Sequence, residues 1–138
     1  MIKMTQEDVN EAIRLHGLWL KADKAGERAD FNCNNLSGLN FKGANLSNAN
    51  FMDAYLRGAK LNYANLSNTN LASANLRETD LSCADFTDAD LEEANLSDAN
   101  LKGADFTGSH WGGVIWSNAI YNSNTIFPDF RTNMILKV

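Results

Sequence analysis

Ala84-Asp85-Phe86-Thr87-Asp88, Ala89-Asp90-Leu91-Glu92-Glu93, Ala94-Asn95-Leu96-Ser97-Asp98 and Ala99-Asn100-Leu101-Lys102-Gly103 follow one another without a gap, all on one plan. A small residue comes first, Asn or Asp second, and Leu or Phe third. Stepping outward by five in both directions, the third position runs from Phe31 to Phe106 and is Leu or Phe at all sixteen places. The first position is Ala at twelve of them, with Asn34, Leu39, Thr69 and Thr79 as exceptions. The second is Asn or Asp at fourteen, with Tyr55 and Lys60 as exceptions. Compositional bias enriches residues but does not hold them in phase for sixteen steps.

A period of five belongs to neither usual element. A helix places its apolar residues at steps of three and four, and a strand at steps of two. One large and one small inward residue in every five suit a chain that turns a corner at each repeat. Four corners close a square, so one turn of such a coil takes twenty residues. Stacked turns then hydrogen-bond as parallel strands do, ~4.8 Å apart. Leu or Phe fills the narrow centre and Ala lets the backbone come close. Asn or Asp is expected at the corner, where it tolerates unusual dihedrals and bonds nearby backbone groups. Four core columns result. They stack Phe31, Phe51, Leu71 and Leu91; Leu36, Leu56, Leu76 and Leu96; Phe41, Leu61, Leu81 and Leu101; and Leu46, Leu66, Phe86 and Phe106. Trp111, Trp116, Tyr121 and Ile126 keep the phase and are expected to add a fifth level.

Runs such as Ala44-Asn45-Leu46-Ser47-Asn48 and Ala94-Asn95-Leu96-Ser97-Asp98 resemble the A(D/N)LXX motif of the pentapeptide-repeat family. The resemblance covers Ala29 to Gly108 and is specific, because so many repeats stay in register. It implies an all-β solenoid, a right-handed quadrilateral β-helix of four to five coils. It implies far less about function, since one fold hosts many roles.

The ends of a solenoid need cover, or core and unpaired edges are exposed. Residues 1–28 read as a helical cap, 29–126 as the β-helix, and 127–138 as a C-terminal tail or cap. Thr5 is the expected N-cap, with Asp8 three residues later. Val9, Ala12, Ile13, His16, Trp19 and Leu20 form one apolar helix stripe, and Gly26 is expected to stop the helix. At the other end Ile115, Trp116, Ile120, Phe127 and Phe130 form a candidate cap or dimer surface. The family resemblance implies a homodimer through the C-terminal end as one outcome.

The 138 residues suggest one domain. The net charge of −5 argues against nucleic acid or an anionic membrane as partner. No apolar run approaches the ~20 residues of a membrane span, and Met1 to Gly17 lacks the apolar stretch of a signal peptide. The expected location is cytoplasmic, in a bacterium. Cys33 and Cys83 match no metal spacing and are read as free thiols. His16 and His110, the two histidines, fall at opposite ends of the rod and are read as structural. No catalytic, metal or cofactor constellation is visible, so the expectation is a protein that is not an enzyme, with no cofactor.

Two surface features depart from the repeat. The first is an acidic belt. Between Glu78 and Asp105 lie nine acids, including Asp85, Asp88, Asp90, Glu92, Glu93 and Asp98, against Lys102 alone. The second is a patch of Met52, Tyr55, Arg57, Lys60 and Tyr63, with Arg77 stacked over Arg57 by the twenty-residue rule. Exposed aromatics and arginine are typical of binding hot spots. The preferred functional reading is a rigid protein-binding or scaffolding module that uses this patch, its partner unspecified. The alternative, implied by the resemblance, is a mimic of duplex DNA that binds DNA gyrase. Against it, Ala29 to Arg77 carries two acids and four bases, so negative charge along the sequence is confined to one half.

Overall fold

The computed structural model describes residues 1–129. From Asp30 onward the chain coils in steps of twenty, and parallel backbone bridges join each level to the next. Four columns of bridges result. The first links residues 30, 50, 70, 90 and 110, the second 35, 55, 75, 95 and 115, and the third 40, 60, 80, 100 and 120. The fourth links 45, 65, 85 and 105 and ends at 126. These columns define four faces, here called first to fourth. Each level contributes one bridged residue per face, so the sheets are stacks of single rungs.

The repeat explains the geometry. The Leu or Phe side chains from Phe31 to Phe106 point inward and are essentially solvent-free, as are most of the Ala residues. After each central residue the chain turns, and the next small residue's N–H donates to the central carbonyl, as from Asn34 to Phe31 at 3.1 Å. Thr69 and Thr79 are explained here. Each is buried, and its hydroxyl donates to that same carbonyl, Leu66 at 2.7 Å and Leu76 at 2.6 Å. A buried hydroxyl with a partner carries little penalty.

The corner lies elsewhere than expected. Asn and Asp at the second repeat position are the bridged residues, and their Oδ1 accepts the N–H two residues on, as Asn35 does from Ser37 at 3.0 Å. The left-handed dihedrals fall on the fifth position, from Cys33 to Asn118, with φ between +55° and +73°. Glycine fills six of these corners, but Tyr63, Glu78, Cys83 and Glu93 also adopt the conformation. The corner therefore favours Gly, Asn and Asp, which fill twelve of its eighteen places, and admits other side chains at a backbone cost of about 1 kcal/mol.

The cap is one helix, α1 (Gln6–Leu20). Thr5 and Asp8 form the expected capping box, which holds the Asp8 carboxyl below its ordinary range, chiefly through the Thr5 backbone N–H. Val9 and His16 are buried against the first level, with Ala12 and Ile13 packed beside them, while Trp19 lies at the margin and stacks on His16 at 5.3 Å. Gly26 does not stop the helix. Lys21 is the C-cap and Ala22 takes the left-handed turn at φ +57°. Gly26 is instead a close-packing residue, since a Cβ there would meet the backbone nitrogen of Trp19. The sequence reading also missed the segment before the helix, where Lys3 bridges in parallel to Asn35 and starts the second column.

At the C-terminal end the register slips by one. The bridge from Asp105 reaches Ile126, twenty-one residues on. A tight turn causes the slip: Thr125 N–H donates to the Asn122 carbonyl at 3.1 Å, and Thr125 Oγ accepts the Asn122 N–H at 3.1 Å. Ile126 thus takes the bridge position and stays half exposed, and Phe127 faces the core column in its place. Tyr121 also fails to enter the core and is 56% exposed, because no described level lies above it. Phe130 lies outside the described residues.

Candidate functional site

Folding sorts the charged residues by face. Within residues 30–123, every Lys and Arg lies on the second or third face: Arg57 and Arg77 on the second, Lys42, Lys60 and Lys102 on the third. The first and fourth faces adjoin. Together they hold Asp30, Asp53, Asp85, Asp88, Asp90, Glu92, Glu93 and Asp105 and no cation. One side of the rod is therefore wholly acidic. Asp30 and Asp53, remote in sequence from the belt, extend it toward the N-terminal end, where Arg28 closes it with a 2.6 Å bond from Nε to the Asn48 carbonyl.

The acids on this side differ in freedom. Asp85 and Asp105 are half-buried rungs of one column, and each accepts a backbone N–H and a hydroxyl from the Thr two residues on. Asp90 likewise accepts the Glu92 N–H at 3.0 Å. Asp88, Glu92 and Glu93 are exposed, and Asp88 and Glu93 stand at left-handed corners. The carboxylate of Asp88 lies against Gly108 and that of Glu93 against Gly113, where any side chain would displace them.

Asp98 belongs to the opposite side. It pairs with Arg77 at 3.4 Å, and Glu78, one level below, pairs with Arg57 at 2.8 Å. Both pairs climb one level, and Glu78 lies between the two arginines. Arg57 holds the Glu78 carboxyl below its ordinary range, and Glu78, with the Tyr55 hydroxyl beside it, raises the Arg57 guanidinium. The two arginines of the sequence-defined patch are thus engaged within the solenoid.

The structure does not bring the rest of that patch together. Met52 projects from the first face, Tyr55 and Arg57 from the second, and Lys60 and Tyr63 from the third. Met52 and Tyr63 are exposed, at 41% and 62%, but on different sides of the rod. At the C-terminal end the structure does gather the predicted residues. Phe127 sits among Phe106, Trp111, Trp116 and Tyr121, with ring centroids 5.3–6.4 Å away. Ile115, Ile120 and Ile126 ring this plug and are 38–50% exposed. Sequence reasoning missed Gln6, Lys3 and the bonding role of His16; nothing in a repeat pattern marks residues that dock on its end. Among the described residues no group of His, Cys, Asp and Glu could hold a metal ion, and no helix is long and apolar enough to cross a membrane.

Known proteins agree with this architecture. The pentapeptide-repeat family model matches residues 27–48, 49–87 and 69–108, in eight copies. A pentapeptide repeat protein of the Arabidopsis thaliana thylakoid lumen is 30% identical, with a TM-score of 0.65, over 78% of this chain and 71% of its own. Rfr23 of the cyanobacterium Cyanothece is 33% identical over 71% of this chain, with a TM-score of 0.48. The present chain spans 63% of the length of Rfr23. QnrB1, a plasmid-mediated fluoroquinolone resistance protein, is 25% identical over 70% of this chain and 56% of its own, with a TM-score of 0.23. No curated protein matches the chain.

Proposed function

We propose a non-catalytic, protein-binding role, from the premise that this chain belongs to the pentapeptide-repeat family. The observation that carries it is the acidic side of the rod: eight acids on two adjoining faces, no cation among them, on a stack of bonded rungs. A rigid array of like charge attracts a partner with a basic surface, raises its rate of encounter and repels acidic competitors. The partner class is therefore a protein with an extended cationic groove. The DNA-binding surface of a topoisomerase such as DNA gyrase has that chemistry, and it is the first specific candidate. The patch around Tyr55 and Arg57 is the weaker site, because its residues point three ways and its arginines are paired.

The test replaces Asp88, Glu92 and Glu93 with Asn or Gln, and separately Met52 and Tyr63 with Ser. Binding is followed to purified gyrase and to partners captured from a bacterial lysate. Loss with the first set and retention with the second supports the acidic side. Binding should also weaken steeply with salt, since exposed charges are screened over ~8–10 Å. Loss with the second set alone returns the function to the patch.

A second contact is proposed at the C-terminal end, where Ile115 and Ile120 are exposed around the aromatic plug. The occupant would be a second copy of the chain. Sedimentation should find a dimer that Ile115→Ser with Ile120→Ser dissociates; an unchanged mass sinks this part alone.

A further inference from the structure

We propose that His16 is a proton-sensitive latch: its neutral ring pins the N-terminal cap to the first level of the solenoid, and protonation releases the cap. The ring is fully buried yet bonded at both nitrogens. Nδ1 accepts the backbone N–H of Ala29 at 2.9 Å. A nitrogen that accepts from an amide carries no proton, so the proton resides on Nε2, which donates to the Ser47 carbonyl at 2.8 Å. Ala29 leads into the first face and Ser47 lies on the fourth, so one side chain of α1 closes the corner where the first level begins and ends.

A second proton has no place in this site. It would set an N–H on Nδ1 against the N–H of Ala29, and a charge in a buried position without a counter-ion. From the solenoid the ring is faced by the backbone of Ala29 and Ser47 and by the charge of Arg28. From α1 it meets Trp19, with Ala12, Ile13 and Leu20 a turn to either side, none of them ionisable. The carboxylates of Asp8, Glu11, Glu27 and Asp30 line the open cleft beside Arg28, in contact with solvent. Burial chiefly, then Arg28, hold the imidazole below its ordinary value of 6.5, against the opposing bond to Ser47.

The sign follows. The released state takes up a proton near 6.5, and the docked state takes one up only at lower pH. Docking is therefore fully supported above that pH and weakens as pH falls below it, by up to about tenfold per pH unit for one proton. Release of α1 also withdraws Gln6 from Asn40 and Lys3 from Asn35, which share the same short segment. Acid thus opens a parallel edge at one end of the rod while the stacked levels beyond it stay paired.

Amide hydrogen exchange on the full chain, expressed as protection factors from pH 7 to pH 5, reads this directly. In the wild type, protection at Ala29 and Asn40 should fall together by up to tenfold per pH unit, while Leu76, bonded to the Asn95 carbonyl, stays constant. His16→Gln should abolish the slope, and His110→Gln should leave it. Constant protection at Ala29 and Asn40, an unchanged slope in H16Q, or a slope removed by H110Q overturns the proposal. Should H16Q not fold, the wild-type imidazole titration decides by NMR. Protonation in step with loss of Asn40 protection supports the latch; protonation with Asn40 still protected refutes it.

Discussion

The carboxamide of Gln6 stands to Asn40 as one rung of the solenoid stands to the next. Its Oε1 accepts the Asn40 N–H at 2.8 Å and its Nε2 donates to the Asn40 carbonyl at 2.8 Å. Further along the column, Lys60 makes the same two-bond arrangement, its N–H donating to Leu39 and its carbonyl accepting from Phe41. A side-chain amide thus supplies the carbonyl and the N–H that two successive peptides of a further level would supply. It satisfies the open edge without offering a strand on which another chain could pair.

Removing that amide should be felt, and mildly, because Asn40 is exposed and water can replace the bonds. Gln6→Ala is expected to cost about 1 kcal/mol. Gln6→Glu should cost more, since a carboxylate cannot donate to the Asn40 carbonyl and sets an oxygen against it. Urea unfolding of the three proteins orders them; a Glu variant as stable as the wild type would contradict the rung-mimic account.

Leu81 lies in the third column, buried between Leu61 below and Leu101 above. Neighbours held by bonded rungs cannot collapse into a void. Leu81→Ala should therefore cost ~2–5 kcal/mol, and Leu81→Asp should prevent folding, because an unpaired carboxylate would be buried. A soluble L81D protein with an unchanged circular dichroism spectrum would show the inward assignment to be wrong.

Ile126 and Phe127 distinguish the five-residue phase from the observed register. The phase places Ile126 in the core, whereas the structure places Phe127 there, edge-on to Trp111 at 5.8 Å. Phe127→Ala should cost about 2–3 kcal/mol, somewhat below the range for a fully buried Phe. Ile126→Ala should cost well under half as much. Thermal melts of both variants suffice, and the reverse order would restore the unbroken period.

Cys33 and Cys83 are both free and exposed. They are fifty residues apart, two and a half turns of the twenty-residue coil, and so occupy opposite corners of the rod. A disulfide needs Cα atoms about 4.4–6.8 Å apart, which this placement denies. Native thiol titration without reductant should count two per chain. A count of zero with a monomeric mass lowered by two hydrogens would break the coil geometry.

The interior was legible because a period leaves a signature in every copy. Phe31 to Phe106 could be placed in four columns from spacing alone, and Thr5 and Asp8 announced the helix start. The corner was misplaced because Asn and Asp suit two positions equally. Their side chains here bond the backbone at the rung, while the left-handed fifth position, Gly, Asn or Asp at twelve of its eighteen places, carries a looser signature that the reading passed over. The acidic belt was legible only in part. Chain order groups Glu78 and Asp98 with Asp88, yet the twenty-residue turn sends those two to the arginine side and brings Asp30 and Asp53 across from the other half.

By itself, then, the sequence determined the repeat unit, the inward residues and the stacking of one level on the next, since each of these is a local preference repeated sixteen times. Only the tertiary structure decided what happens at the ends. The imitation of a rung by Gln6, the lodging of His16 between Ala29 and Ser47, and the one-residue slip that turns Phe127 inward each occur once. They depend on how a helix or a turn docks against an edge, and contacts between segments remote in the chain leave no period to read.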